Sequence, residues 1–310
     1  MKFVYGPVPS RRLGQSLGID LLPFKTCNYQ CIYCQLGRTT HFTNFRRDFF
    51  SKKDIIGEME SAITLNEERT DYITFVGSGE PTLYKSLKAL INFAKNISNK
   101  PVCVITNGSL LYNQEVQEAL LLADVVLPSF DAGDKKNFIK INRPHPSLDF
   151  NDILQGFINF RNRYVGKFWI EIMIMKGIND DHTNLQKIKK EIDLINPDRI
   201  DVNVPIRPPT ESWVKIPDME VFNIIEEIFG DYYDMNYPEY GEFNLYSTNF
   251  KKELLALIKR HPMRQNQIIE TFSTPCFKEE DIIKNLKYLE SQYKIKNIIY
   301  NDNIFWQLYV

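Results

Sequence analysis

The chain has 310 residues, of which 43% are hydrophobic and 25% are charged, and its formal net charge is −1. These proportions are typical of a folded protein with a large core, and they exclude a disordered chain, a low-complexity repeat and a small disulfide-stapled fold. A net charge so near zero gives no global attraction to nucleic acid or to membrane surfaces.

Short β-rich runs alternate with helical patterns over the first three quarters of the chain. The runs cover residues 17–22, 72–77, 102–106, 125–130, 168–175 and 200–206, and the helical patterns cover residues 53–63, 84–97, 113–122, 150–161, 184–195 and 219–229. Strands that alternate with helices of this length predict parallel βαβ units and an α/β fold. Six such units fit either a doubly wound sheet or an incomplete (β/α) barrel, and periodicity alone does not separate the two.

The pattern changes after residue 230. Residues 231–249 are rich in Tyr, acidic residues, Pro and Gly, which predicts a linker. Helical patterns follow at 251–259, 265–272 and 278–291, and two β-rich runs around Asn301-Asp302-Asn303 predict a hairpin. This order resembles a winged helix-turn-helix. We therefore predict a core of residues 1–230, a linker of residues 231–249 and a small winged-helix-like α+β domain of residues 250–310.

Neither the start of the chain nor its most apolar stretch indicates export or membrane insertion. The opening residues carry Pro7 and Pro9 and no apolar segment, and residues 119–130 are interrupted by Asp124 and are too short to span a bilayer. The number of cysteines, five, is odd, which argues against a disulfide framework. These features predict a cytoplasmic protein in a reducing compartment.

Polar and Gly-rich segments follow most of the predicted strands. Because the carboxyl ends of strands carry the chemistry in βα folds, these segments point to one shared site. They contain the three neighbouring cysteines, Gly77-Ser78-Gly79-Glu80, Thr106-Asn107-Gly108, Ser129-Phe130-Asp131 and the segment from Asn203 to Arg207. Glu171 lies inside the otherwise apolar fifth strand, and a buried carboxylate there needs a polar partner.

Three of the cysteines, Cys27, Cys31 and Cys34, lie within eight residues of each other. Three thiolates can hold three irons of a [4Fe–4S] cluster and leave the fourth iron open to another ligand. A zinc site would need a fourth ligand, and the spacing of His41 matches no common zinc finger. A redox pair of Cys31 and Cys34 would leave Cys27 unexplained. The spacing therefore favours an iron–sulfur cluster over zinc binding or redox chemistry.

The cysteine pattern resembles a known family. Cys27-x3-Cys31-x-Tyr33-Cys34 is similar to the signature of the radical S-adenosylmethionine (SAM) superfamily, including the aromatic residue before the third cysteine. The flanking segments 6–14 and 26–29 resemble a subgroup that is often grouped with wyosine-type tRNA-modifying enzymes. The resemblance covers residues 1 to about 210 and implies a partial (β/α)6 TIM-like barrel.

The resemblance also implies a role for each matching position. The three cysteines would ligate the cluster, and its open iron would bind the amino and carboxylate groups of SAM. Tyr33 would lie near the adenine, and the segment Gly77, Ser78, Gly79, Glu80 would bind the methionyl ammonium. Further contacts to the SAM carboxylate and ribose would come from Thr106, Asn107, Ser129 and Asp131, with Asn203 as another cofactor-binding candidate.

The activity implied by the resemblance is reductive cleavage of SAM. It would give methionine and a 5′-deoxyadenosyl radical, which abstracts a hydrogen atom from an unidentified substrate. A low-potential donor of the flavodoxin or ferredoxin type would supply the electron. The segment 1–53 holds nine Lys and Arg against Asp20 and Asp48, a local charge of +7. Such a basic segment is suited to an acidic electron donor or an anionic substrate, or it is a solvated surface.

The substrate candidates are polar residues expected in the interior of the site, namely Arg143, His145, Glu171, Asn203 and Arg207. The substrate class stays open between tRNA, a protein and a small metabolite. One alternative function is a wyosine-like tRNA base-modifying enzyme, although Cys103 and Cys276 are too few for a second cluster. The other is a redox-sensing DNA-binding regulator, which would have no need of SAM-binding segments.

Overall fold

The helices and strands fall where most of the sequence patterns place them. The computed structural model describes residues 1–230, 233–234, 249–275 and 277–309. Its strands are β1 Val4–Ser10, β2 Gly14–Ile19, β3 Thr26–Cys27, β4 His41–Phe42, β5 Tyr72–Phe75, β6 Val102–Thr106, β7 Val125–Pro128, β8 Lys167–Met173, β9 Arg199–Asn203, β10 Tyr233–Asp234, β11 Met263–Arg264, β12 Ile295–Tyr300 and β13 Asn303–Leu308.

The helices surround the larger sheet and then continue into the C-terminal part of the chain. They are α1 Lys52–Asn66, α2 Leu87–Ile97, α3 Gln114–Leu120, α4 Lys135–Asn142, α5 Phe150–Arg163, α6 His182–Ile195, α7 Glu220–Phe229, α8 Phe250–Ile258, α9 Gln265–Phe272 and α10 Glu279–Ser291. Within the described ranges, none of these helices has the length and apolarity needed to cross a membrane.

Among the described residues, the central sheet has eight strands in the order β1-β2-β5-β6-β7-β8-β9-β10. All neighbours from β2 to β10 pair in parallel, whereas β1 pairs with β2 antiparallel. The order from β5 to β9 follows the sequence because each strand returns to the sheet through a helical crossover. This arrangement confirms the predicted α/β class and is consistent with a partial TIM-like barrel, with the carboxyl ends of its strands at one rim.

Aromatic side chains fill the space between the sheet and its outer helices. Phe157 from α5 is fully buried, and its ring lies 5.4 Å from that of Phe130 and 6.2 Å from that of Phe168, between ring centroids. Phe160, one turn further along α5, contacts Phe168 at 5.6 Å and Tyr164 at 4.9 Å. This packing fixes α5 against the sheet and so sets the position of the strand ends.

Several elements are absent from the sequence prediction, and the longest of them are β1 and α4. β1 contains Pro7 and Pro9, which normally argue against a strand, yet proline is tolerated at a sheet edge because the missing N–H need not bond a neighbour. The helix α4 is short and polar, and it is defined by its ends: Asp134 caps the N-terminus by accepting from the Asn137 N–H, and Arg143 ends it in the left-handed conformation.

The C-terminal unit has its own hydrophobic core and a three-stranded sheet in the order β11-β13-β12. Its three helices and its hairpin are the predicted elements. Asn301 and Asp302 both have positive φ, 46° and 58°, as a two-residue hairpin turn requires. The winged-helix comparison stays a prediction. The predicted linker, 231–249, lies outside the described residues except for 233–234 and 249.

A buried ion pair joins the C-terminal unit to the barrel. Arg260, just after α8, donates from Nε to Asp20 Oδ2 at 2.8 Å and from Nη2 to the Lys2 carbonyl at 2.8 Å. The side chains of Arg260 and Asp20 are 4% and 2% exposed, and the guanidinium also lies over the ring of Tyr5. Asp20 in turn accepts from the N–H and the hydroxyl of Ser78, so this ion pair reaches one of the predicted SAM-binding segments.

We expect Arg260→Ala to lower the free energy of unfolding by about 3–5 kcal/mol, because it leaves the Asp20 carboxylate buried without its counter-charge. Urea unfolding of the purified protein measures this. The double variant Asp20→Asn with Arg260→Met should recover part of the loss, since it buries no lone charge. Lys176→Met, which breaks an exposed ion pair with Asp218, is the control and should cost less than about 1 kcal/mol. Equal effects of Arg260→Ala and the control would contradict this account.

Candidate active site

The three neighbouring cysteines lie on one closed loop that follows the carboxyl end of β2. The loop is closed where β3 pairs with β4, which sets Thr26 opposite His41 and Cys27 opposite Phe42. Successive turns bring the Cys34 N–H to the Cys31 carbonyl at 3.2 Å and the Gly37 N–H to the Cys34 carbonyl at 3.1 Å. All three thiols are free and partly buried, so the loop presents them together at the rim of the barrel.

Amide groups from distant segments hydrogen-bond two of the sulfur atoms. Cys27 Sγ accepts from the Tyr29 N–H at 3.4 Å and from Asn107 Nδ2 at 3.6 Å, and Cys31 Sγ accepts from Asn142 Nδ2 at 3.6 Å. N–H donors of this kind stabilise a thiolate and adjust the potential of a bound cluster. The donor set therefore fits a cluster held by cysteine sulfur.

Burial keeps the thiols protonated when no metal is bound. It raises the pKa of Cys27 to about 12, and it raises the pKa values of Cys31 and Cys34 above their ordinary value as well. Cluster binding would therefore release protons. In the described part of the chain, no three His, Cys, Asp or Glu side chains converge closely enough to hold a single metal ion.

The segment Gly77–Glu80 runs directly beside the cysteine loop. The Lys25 N–H donates to the Ser78 carbonyl at 2.7 Å, and the Glu80 N–H donates to the Thr26 carbonyl at 3.1 Å. A Cβ at position 79 would lie 1.8 Å from the Thr26 carbonyl oxygen, and one at position 77 would lie within 2.3 Å of the Asp20 side chain. Glycine is therefore required at both positions, because the two loops could not otherwise approach each other.

Glu80 is buried and is held at four points. Its Oε1 accepts from the N–H and the hydroxyl of Thr82 and from the Thr106 hydroxyl at 2.6 Å, and its Oε2 accepts from the Asn107 N–H at 2.6 Å. Burial raises the pKa of Glu80, although these hydrogen bonds oppose the shift. Glu80 thus ties the end of β5 to the end of β6, and the Thr106 hydroxyl is directed to this carboxylate.

Tyr33 and Asp131 form a second contact between the cysteine loop and the strand ends. The Tyr33 hydroxyl donates to Asp131 Oδ2 at 2.6 Å, and Asn142 Nδ2 donates to the same oxygen at 2.7 Å. The Met173 N–H donates to Asp131 Oδ1 at 2.9 Å. Because Asn142 also contacts Cys31, Asp131 holds both Tyr33 and a donor to sulfur in place.

Ser129 and Asn107 line a small cavity of about 20 Å³ next to Asp131. The Asn107 amide donates to Cys27 Sγ and to Asn28 Oδ1, and Asn28 donates to Ser109 Oγ at 2.7 Å. Asn28 is fully buried and so links the cysteine loop to the loop after β6. The segments that the resemblance singled out after β5, β6 and β7 therefore meet at the cysteine loop.

Glu171 finds its partner in Arg12, whose Nη1 contacts Glu171 Oε2. Asn203 Nδ2 donates to the same Glu171 oxygen at 3.3 Å, and Arg11 Nη1 donates to Asn203 Oδ1 at 3.1 Å. These groups line a cavity of about 220 Å³ that also contacts Tyr33, Cys34 and Arg207. The expectation of a polar interior site around Glu171, Asn203 and Arg207 thus corresponds to one cavity beside the cysteine loop.

The expectation that Arg143 and His145 lie in the interior of the site is wrong, because both lie outside this cavity. They line a separate surface groove with Phe42 and Pro146. Arg143 Nη1 donates to Glu211 Oε1 at 2.6 Å, and His145 Nδ1 shares a hydrogen bond with Ser147. The physical reason is α4, which stands between the end of β7 and these residues and carries the chain away from the barrel interior.

Three of the nine basic residues of segment 1–53 pair with carboxylates from later in the chain. Arg12 pairs with Glu171, Arg38 pairs with Glu211 at 3.2 Å, and Arg46 pairs with Glu115 at 2.7 Å. No sequence pattern indicates these partners, or the roles of Asp20, Asn142 and Arg260, because each contact joins residues distant in the chain.

Comparison with known proteins agrees with this site. Residues 21–185 match the family model of the Radical SAM superfamily, and the chain therefore belongs to this superfamily. UPF0026 protein MJ1312 of Methanocaldococcus jannaschii is 36% identical over 312 residues, which cover 99% of this chain and 96% of the relative. Members of the superfamily use a [4Fe–4S] cluster and SAM, so the chain is a radical SAM enzyme with these two cofactors.

Two further comparisons describe only part of a longer protein. "GTPase Obg" of Brachyspira hyodysenteriae is 50% identical over 199 residues, which cover 64% of this chain and 29% of that relative. The crystal structure of Streptococcus suis SuiB bound to S-adenosylmethionine is similar with a TM-score of 0.51 and 15% identity, covering 68% of this chain and 46% of that chain. The similarity to SuiB supports the assignment of the α/β barrel-like fold.

We expect the stability of the cluster-free protein to depend on the ionisation of Asp131. Burial raises the pKa of Asp131 to about 6, above the value of about 3.9 in an unfolded chain. As the pH rises, the Asp131 carboxyl therefore ionises in the unfolded state before it ionises in the folded state. The free energy of unfolding of the wild type falls as the pH rises from about 4 to about 6. Asp131→Asn lacks this titration, so its stability relative to the wild type should improve by about 3 kcal/mol over that range.

Chemical denaturation of both proteins at a series of pH values measures this difference. All other ionisable groups are common to the two proteins, so their contributions cancel if the sites are independent. A stability difference that stays constant between pH 4 and pH 6 would show that Asp131 titrates at its ordinary value.

Proposed function

We propose that this chain reductively cleaves SAM and uses the resulting radical to abstract hydrogen from a substrate. Cys27, Cys31 and Cys34 would hold the cluster, which would supply the electron needed to cleave the C5′–S bond of SAM to methionine and a 5′-deoxyadenosyl radical. The observation that carries this proposal is the contact between the cysteine loop and the Gly77–Glu80 segment. A loop that only held a cluster would not need this second segment against it.

The protein's own groups would bind and orient the two cofactors. Cys27, Cys31 and Cys34 would hold three irons, with Asn107 and Asn142 as hydrogen-bond donors to sulfur. In this proposal the implied SAM-binding roles are unchanged. They fall to Tyr33, Gly77, Ser78, Gly79, Glu80, Thr106, Asn107, Ser129, Asp131 and Asn203. The remaining capacity of Glu80 Oε2, which accepts one hydrogen bond here, suits an ammonium group.

The substrate would enter the cavity that contains Glu171, Asn203 and Arg207, because Tyr33 and Cys34 also line it. A cavity with guanidinium, carboxylate and amide groups suits a polar molecule. An electron donor of the flavodoxin or ferredoxin type would complete the reaction. The tRNA-modifying alternative stays a proposal beside this one, although Arg12, Arg38 and Arg46 of the basic segment pair with carboxylates of the chain itself.

Anaerobic reconstitution with iron and sulfide, followed by SAM and dithionite, tests the proposal. The wild type should form 5′-deoxyadenosine, measured by chromatography. Cys31→Ala should lose at least 100-fold of this activity, about 2.7 kcal/mol or more, because a cluster ligand is removed. Cys103→Ala is the matched control, since Cys103 is fully buried in β6 away from the cysteine loop, and it should keep the activity. Stoichiometric zinc with no iron–sulfur absorption in the wild type would refute the proposal.

A further inference from the structure

A groove of about 580 Å³ separates the cysteine loop from the C-terminal sheet. One side is formed by Phe24, Lys25 and the segment from Gln35 to Arg38, and the other by β12 and the end of β13. This volume is within the range of roughly 300–1,000 Å³ that is typical of sites for small molecules. The groove is distinct from the cavity around Glu171, with which it shares only Gln35 among the described residues.

The walls of the groove are mostly apolar. Its apolar and aromatic lining residues are Phe24, Leu36, Pro208, Pro209, Ile258, Pro262, Ile298, Ile299, Tyr300 and Leu308. Ile299 is 76% exposed in β12, so part of this surface is open to solvent. Such walls accommodate the apolar body of a ligand, and the polar groups among them determine its chemistry.

The charged residues of the groove are all basic. Lys25, Lys259 and Lys296 line it together with Arg38, and its described lining contains no Asp or Glu. Arg38 has a partner in Glu211 at the rim, at 3.2 Å. The described residues give none of the three lysines a carboxylate within salt-bridge distance. The charge of Lys25 interacts with Cys34 on the cysteine loop and, more weakly, with Lys296 across the groove.

Lys25 is the most informative of these residues because only 7% of it is exposed. Its Nζ lies beside Gly37, 3.0 Å from the place where a Cβ would stand, and over the ring of Phe24, 5.4 Å from the ring centroid. A buried ammonium is unfavourable unless an anion accompanies it. A second lysine facing it increases the need for negative charge at this point.

We propose that this groove binds a small molecule that carries a phosphate or a carboxylate group. Lys25 and Lys296 hold the anionic group, and the apolar body lies between Pro208, Pro209 and β12. The site is separate from the one that would cleave SAM, and it contacts the loop on both sides of the three cysteines. A ligand bound there therefore touches the segment that holds the cluster.

Phenyl phosphate and benzoate are the probes, because each joins an aromatic ring to one of the two anionic groups, and phenol is the neutral control. Calorimetry on the cluster-loaded protein at low salt should show saturable binding of at least one anion and none of phenol. Lys25→Met and Lys296→Met should each weaken that binding at least tenfold. Lys53→Met, on the exposed face of α1, should leave it unchanged. Added salt should weaken binding in the wild type.

Absence of binding of both anions up to about 10 mM would overturn the proposal. So would binding that both lysine substitutions leave unchanged. Lys296 is partly exposed, so its variant remains informative if Lys25→Met does not fold. If Lys25→Met lowers the iron content while neither anion binds, Lys25 balances the charge of the cluster and the proposed site does not exist. Formation of 5′-deoxyadenosine is measured separately, so the failure of one proposal is distinguishable from the failure of the other.

Discussion

The close approach of Gly79 to the carbonyl of Thr26 is the constraint on which the site depends. It brings the end of β5 against the loop that carries the cysteines, at a distance that no side chain at position 79 would permit. The Glu80 N–H and the Lys25 N–H then close the contact from both sides. Because this pairing uses backbone groups, it holds the two loops together and leaves their side chains available to bind the cofactors.

The same region is connected to the rest of the molecule through buried polar groups. Asp20 contacts Ser78 on one side and Arg260 on the other, so the C-terminal unit and the barrel rim share one carboxylate. Arg12 reaches Glu171 inside the barrel, and Arg46 reaches Glu115 at its surface. Three charges that lie close together in the sequence, Arg12, Arg38 and Arg46, each meet a carboxylate from a distant element once the chain is folded.

The sequence could predict the parts of the fold and site that depend on local patterns. The parallel strands, the meeting of their polar ends and the cysteine loop follow from periodicity and spacing. Sequence patterns do not predict β1, because proline is tolerated in an edge strand but disfavoured inside a sheet. They do not predict α4, because its polar residues give little hydrophobic periodicity. The absence of α4 from the prediction also explains why Arg143 and His145 were expected inside the barrel. Partners such as Arg12 and Glu171, 159 positions apart, depend on the tertiary fold alone.

The two amide donors to sulfur come from residues far from the cysteines in the chain, since Asn107 follows Cys27 by 80 positions and Asn142 follows Cys31 by 111. The loop can therefore present solvated sulfur ligands early, but it acquires its complete hydrogen-bonding environment only after β6 and α4 have docked. A cluster that binds the complete environment more tightly would stabilise those elements in return, by the same free energy. Cluster binding would then stabilise β6 and α4, although neither element carries a cluster ligand.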